Sequence, residues 1–275
     1  MSLSVNTNPG ALIALQNLSE TAQGLAQTQN RVSTGLAIAT PQDNGAIWAI
    51  AQNMRGNSSA LGAVAQSLQR AQSTVNVATA AGNSVSNLLN QLKTLALSGS
   101  DTSLDAVSLA AYNTQFKSIL TQITQVVNTS DFNGVNMIKS GGTTLYALES
   151  VTGSQLTVKA QDLSLGGTNM GSLAATSSIG TVTLATAMVS TVNTAIVNVN
   201  AALGQLGTGA TALQNQLNFV QNLQDTVDIG VGNMVNANMG KESAMLSSLQ
   251  TKQQLGIQAL SIANQSSSVL LSLFR

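Results

Sequence analysis

The chain has 275 residues, ten basic and ten acidic, so its formal net charge is zero and only 7% of its residues are charged, against about 25% in an ordinary globular protein. That charge density excludes the basic stripe of a nucleic-acid binder and the polybasic patch that draws a protein to an anionic membrane. With no Cys and no His, a disulfide framework, a thiolate nucleophile and a Cys/His zinc site are excluded too, and neither cofactor nor metal is expected.

Polarity comes instead from Ser, Thr, Asn and Gln. Buried amides and hydroxyls can hydrogen-bond one another, whereas burying unpaired charges costs several kcal/mol, so a neutral polar surface suits close packing. Two prolines, at 9 and 41, and 3% aromatic residues point to long helices. The first basic residue is Arg31, the apolar run 11–15 is short, and no stretch approaches the roughly 20 apolar residues of a membrane helix. Export, if it occurs, is expected to need no cleaved signal.

Apolar residues recur at alternating spacings of three and four. In the first segment the series is Leu15, Leu18, Ala22, Leu25, Gln29, Val32, Leu36. After Pro41 it restarts at Ile47, Ile50, Met54 and Asn57 and continues through Leu61, Val64, Leu68, Ala71, Val75, Ala78, Gly82, Val85, Leu89 and Leu92. This is a heptad seam. Fifty residues of such helix would span roughly 75 Å, which predicts an elongated rod.

Residues 98–101 read as a turn in which Ser100 or Asp101 caps the next helix. The seam resumes at Leu109, Tyr112, Phe116, Ile119, Ile123 and Val126. From about 140 to 180 glycine pairs break the pattern, and two short alternating runs flank Thr152-Gly153, the signature of a β-hairpin. Helical spacing returns at Val192, Ile196, Val199, Leu203 and Leu206, is expected to break at "LGTGAT" (206–211), and continues through Leu213, Leu217 and Val220. A last stretch carries Leu246, Leu249, Gln253, Gly256, Leu260, Ala263, Ser267, Leu270 and Phe274.

The terminal seams hold many small or polar residues, so one N- and C-terminal pair buries little apolar area, and such helices are marginal in water by themselves. The chain ends on "SSSVLLSLFR" (266–275), whose five large apolar side chains are worth on the order of 10 kcal/mol if fully buried. The terminal helices are therefore expected to order by packing against further copies. Catalysis is not expected. "GQLGTG" (204–209) lacks the Lys-Ser/Thr and the preceding strand of a phosphate loop, and Asp225 and Asp228 read as a solvated helix face.

With these segments in place, the chain resembles bacterial flagellin, of the compact type found in alphaproteobacteria. The likeness rests on "NRVSTGLAIATPQDNGAIWAIAQNMR" (30–55), "FNGV" (132–135) and "AMLSSLQTKQQLGIQALSIANQSSSVLLSLFR" (244–275), in the family's order. It covers most of residues 3–138 and 190–275. The resemblance implies a mainly α fold, an elongated antiparallel helical bundle or coiled coil that pairs the N- and C-terminal helices and carries a small β-hairpin insert. It assigns 1–44 and 235–275 to terminal helices of the inner filament core, 45–130 and 187–234 to a helical rod domain, and 131–186 to a small β-rich outer part.

The implied role is the structural subunit of the flagellar filament, a homopolymer of this chain or related flagellins that turns for swimming. Implied partners are the flagellar export apparatus, an export chaperone, the filament cap and hook-associated proteins, with an O-linked glycan on outer Ser or Thr. Residues expected at assembly interfaces are Leu12, Leu15, Leu18, Leu25 and Val32 on the first helix, and Leu260, Ile262, Leu270, Leu271, Leu273 and Phe274 on the last. Arg31, Asp43 and Arg55 read as contacts between subunits or as solvated charges, the sparse charge favouring the former, with Trp48 as a core or intersubunit wedge.

The sequence departs from the family at "SLQRAQST" (67–74), at "QNQL" (214–217), and at Asn236 and Asn238, where acidic residues are usual. Gln91 and Gln115 stand at the positions nearest an Arg and a Glu through which some flagellins are sensed by an innate immune receptor, and weak receptor activation is expected. Two other readings are a hook–filament junction protein, whose middle region should be larger, and a cytoplasmic coiled-coil signalling module, which should be markedly acidic.

Overall fold

A computed structural model describes residues 7–272, and the side-chain surroundings of 7–265. In chain order it contains α1 (Pro9–Thr34), α2 (Gly45–Gly99), α3 (Ala106–Thr129), β1 (Leu145–Leu148), β2 (Gln155–Val158), α4 (Val182–Val235) and α5 (Met239–Ser272). The mainly helical class and the small β insert agree with the sequence reading.

Local chemistry fixes the helix ends. Asn8 caps α1, accepting from the Ala11 amide, and Pro9 follows in the first turn, where its missing N–H costs nothing. At the other end Gly35 takes φ 72° and its amide reaches Arg31 O, a left-handed cap that glycine adopts without penalty. Asn44 caps α2 through Ile47 N, and Asn238 caps α5 through Lys241 N. The cap of α3 is Asp105, which accepts from Ser108 N, rather than Ser100 or Asp101. Asp101 is occupied by a turn, accepting from Ser103 N.

The chain forms two compact units, one made of residues up to Gly56 and from Thr226 onward, the other of Asn57–Asp225. The core of the first contains Ala51, Val231 and Val235, flanked by Leu36, Ile38 and Met54. Here the expected seam of α2 holds at Ile47 and Met54, both half-buried, but is corrected at Ile50. Ala51 is buried while Ile50 is exposed, because the small side chain is the one placed against the α4 residues Val231 and Val235.

In the second unit the seam from Leu61 to Leu92 is buried as read, as are Phe116, Leu120 and Ile123 of α3 and Val192, Val199 and Leu206 of α4. The hairpin pairs β1 with β2 antiparallel, Leu145 opposite Val158. Gly153, with φ 89°, lies in its connection, as the Thr152-Gly153 signal indicated.

The expected break at 206–211 is absent, since α4 runs through Gly204, Gly207 and Gly209 without interruption. Leu206 and Leu213 are buried on either side and hold the helix to the core. Gly209 has a packing role: a Cβ there would lie 2.6 Å from Val158 Cγ1 of the hairpin. Also contrary to expectation, α4 is long and apolar enough by composition to cross a membrane, with 22% of the window that meets this criterion buried in the fold.

Asn136 ties the insert to α3. It is 2% exposed, donates to Val127 O at 2.7 Å, and accepts from the amides of Ile138 and Lys139 at 2.9 and 3.0 Å. Asn136→Ala leaves these groups without partners in a buried site, which should cost about 2–4 kcal/mol. Thermal unfolding followed by circular dichroism should show Tm lowered by roughly 4–12 °C; an unchanged Tm would contradict this role.

Candidate assembly surface

Helices α1 and α5 lie antiparallel. Asn8 Nδ2 donates to Ala263 O at 2.8 Å, a Cβ on Gly256 would sit 3.2 Å from Leu18 Cδ1, and one on Gly24 would sit 3.6 Å from Leu249. Arg31 Nη1 and Glu242 Oε1 are 3.5 Å apart. Beyond them Leu36 bridges Asn236, with Ala37 N donating to Val235 O and Ala237 N to Gly35 O. Asn236 and Asn238, where acids were expected, thus form the backbone bridge and the α5 cap.

The seam between these helices mixes leucines with small and polar side chains. Leu18, Thr21, Leu25, Thr28, Arg31 and Val32 of α1 are buried or half-buried, as are Leu246, Leu249, Gly256, Leu260 and Ala263 of α5. The register of α1 corrects the heptad reading: Thr21 and Thr28 stand inside, while Ala22 and Gln29 are exposed. Glycine and threonine let the two backbones approach beside Leu18, Leu25 and Leu249, and further large side chains are left outside. Leu12 is 62% exposed, Leu15 54% and Ile262 68%.

Three exposed residues that belong with them, Ile13, Leu255 and Ile257, were missed in the sequence because they lie off the seam. Their signal was available as apolar residues on the outward side of helices whose seam was already filled. Leu270 and Leu271 fall in α5, but their side chains lie outside the described surroundings, and Leu273 and Phe274 lie outside the described residues.

Among the charged candidates, Asp43 is committed locally, accepting from Ala39 N, Thr40 N and Thr40 Oγ1. The Thr40 amide is the main cause that holds its carboxyl below the usual 3.8. Trp48 and Arg55 are half-buried. Gln91 and Gln115 line one groove between α2 and α3. Asp225 and Asp228 are exposed, and no cluster of three or more His, Cys, Asp or Glu occurs among the described residues.

Asp101 and Asp105 are likewise lowered, mainly by hydrogen bonds from Ser103 and Ser108 respectively. A carboxylate depressed in the folded state contributes stability above its unfolded pKa and loses it as pH falls through the folded value. Stability should thus be flat through neutral pH and fall below about pH 4. Asp105→Asn keeps a cap but cannot titrate, so in thermal melts against pH it should reduce that fall; an identical profile would refute the assignment.

A model of the bacterial flagellin N-terminal helical region matches residues 5–143, and one of the C-terminal helical region matches 189–274. The chain belongs to the bacterial flagellin family. Over 272 residues the flagellin is 50% identical to flagellin FljM of Caulobacter vibrioides, covering 99% of this chain and 98% of the relative. It is 49% identical to FljO of the same organism with the same coverage. In fold it is similar to a solved structure reported as a flagellar hook-associated protein of Vibrio parahaemolyticus, at TM-score 0.59 over 70% of this chain and 100% of that one. At 16% identity, that likeness concerns the fold alone. The full-length flagellin relatives make this flagellin a structural subunit of the flagellar filament.

Proposed function

We propose that this flagellin polymerises through the outward faces of α1 and α5, the terminal segments forming the inner layer of the filament and the second unit lying outside it. The observation that carries this reading is the apolar surface that the pairing leaves uncovered: Leu18, Leu25 and Leu249 are covered in the seam, but Leu12, Ile13, Leu15, Leu255, Ile257 and Ile262 remain in solvent. An apolar surface of this kind marks an interaction site, and repeated copies cover it on every subunit. The apolar residues of 269–275 are assigned to the same interface from their sequence alone.

The test is seeded polymerisation of purified chain viewed by electron microscopy. Long hollow filaments are expected from the full chain. Deletion of 269–275 should give a secreted, largely folded subunit that forms none, and normal filaments from the truncation would overturn the reading.

The subunit passes through the flagellar export apparatus with an export chaperone, without a cleaved signal, and is placed extracellularly beneath the filament cap beyond the hook-associated proteins. Exposed hydroxyls of the insert, such as Thr152, Ser154, Thr157 and Ser172, are where an O-linked glycan would sit. Intact mass of purified filaments should exceed that of the polypeptide, and a mass equal to it rules the glycan out.

A further inference from the structure

An asparagine followed by glycine is open to a reaction of its own backbone, and the chain contains that pair twice, at Asn44-Gly45 and Asn133-Gly134. The following amide nitrogen must reach the side-chain carbonyl carbon. Glycine favours this because it has no Cβ to obstruct the approach and the widest backbone freedom. The fold treats the two pairs very differently.

Asn44 is committed to the start of α2. Its Oδ1 accepts from Ile47 N at 3.1 Å, its carbonyl accepts from Trp48 N at 2.9 Å, and Gly45 is already helical. Turning the Gly45 nitrogen onto Asn44 Cγ would undo the cap and the first turn together.

Asn133 is held far less. It is exposed, and with φ 51° it is the one non-glycine residue of positive φ among the described residues, a left-handed conformation that asparagine visits at some cost. Gly134 follows at φ 77°. The two make a turn that closes an isolated bridge between Phe132 and Val135, whose amides and carbonyls exchange two bonds of 3.0 Å. Among the described residues neither the Asn133 side chain nor the Gly134 amide has a hydrogen-bond partner. A Cβ built on Gly134 would meet nothing within 4 Å, so space for a ring is already present. A turn held by two bonds outside any sheet opens locally at little cost.

We infer that Asn133 deamidates spontaneously in the folded chain while Asn44 is protected. In the step, Gly134 N bonds to Asn133 Cγ and the Cγ–Nδ2 bond breaks. The departing nitrogen takes the Gly134 amide proton and leaves as ammonia, and the succinimide ring that remains takes up one water. Opening at Cγ gives aspartate with the ordinary backbone. Opening at the main-chain carbonyl gives isoaspartate, in which the chain runs through Cβ and Cγ. Either product places a new carboxylate on a chain of zero formal net charge. Isoaspartate also adds a backbone atom inside the turn, so Phe132 and Val135 lose the register of their paired bonds. The inference does not depend on the polymer reading.

The test is to age the full chain in neutral buffer, folded and in concentrated urea, and then cut it with trypsin. The two asparagines fall in separate peptides, 32–55 and 118–139. Mass spectrometry with fragmentation reads the acid-for-amide mass gain at each asparagine, and enzymatic methylation of isoaspartyl carboxyls reads the altered linkage. In the folded chain Asn133 should convert at least about fivefold faster than Asn44, the factor that corresponds to a helix cap worth about 1 kcal/mol at 1.4 kcal/mol for each factor of ten. In urea the two rates should converge, because the cap is gone.

Equal rates at the two sites in the folded chain would overturn the inference. So would a folded chain that keeps its Asn133 amide over a period in which the unfolded chain loses it, since the turn would then be as protective as the helix.

Discussion

Leu12→Glu combined with Leu15→Glu is expected to leave a folded subunit that no longer forms filaments. Both side chains are exposed in the free chain, so each substitution should change its stability by no more than about 0.5 kcal/mol. In the polymer reading both are buried against other copies. Losing that burial removes roughly 1.5–3 kcal/mol per leucine, and each added carboxylate must also be desolvated at a cost of several kcal/mol. Even the apolar part alone raises the concentration needed for assembly by at least about a hundredfold, at 1.4 kcal/mol for each factor of ten. Circular dichroism should match the parent chain while seeded sedimentation and microscopy find no polymer. Filaments at the parent's concentration would show that this face lies in solvent throughout. Leu18→Glu is the contrasting case: it faces Gly256 across the α1–α5 seam and should disturb the free chain.

Gly209→Ala and Gly204→Ala should move stability in opposite directions although both remove a glycine from α4. Replacing a glycine in a helix interior by alanine gains about 0.5–1 kcal/mol where there is room. At Gly204 a Cβ meets nothing within 4 Å, so the gain should appear as a Tm raised by roughly 1–4 °C. At Gly209 the Cβ would stand 2.6 Å from Val158 Cγ1 and 3.4 Å from Val158 Cβ. Val158 is buried and β-branched, so relief requires the hairpin to move as a piece. Overpacking of this kind costs about 1–3 kcal/mol and exceeds the propensity gain. Tm should fall, and Val158→Ala should rescue Gly209→Ala in the double variant. Equal stabilisation by both alanines would show that the hairpin does not rest on α4 as described.

These two cases mark where the sequence was legible. Long helices, the hairpin at Thr152-Gly153 and the seam from Leu61 to Leu92 were readable because each rests on periodicity or turn chemistry spread over many residues. The family motifs at 30–55, 132–135 and 244–275 were equally plain. The break expected at 206–211 was wrong because glycine has two uses, to end a helix and to let another element approach it, and local sequence does not separate them. Proximity of Val158 to Gly209 is a relation between residues about 50 apart.

The candidate surface divides in the same way. That the terminal helices are short of large core residues was visible in Ala22, Gln29, Gly256 and Ala263. Which leucines face α5 and which face outward was not, because α1 has apolar residues on more than one side and a shift of one position exchanges them. Pairing decided it: Gly24 against Leu249 and Leu18 against Gly256 put the small residues at the line of closest approach, and Leu12 and Leu15 were turned out.

By itself, then, the sequence determined the helical class, the order of the elements, the lack of charge and the need for a partner, since these are sums over composition and spacing. Only the tertiary structure decided which face each helix presents, that α4 continues through its glycines, and that the hairpin rests on it at Gly209. Those depend on contacts between residues far apart in the chain, where steric fit at a few positions outweighs local propensity.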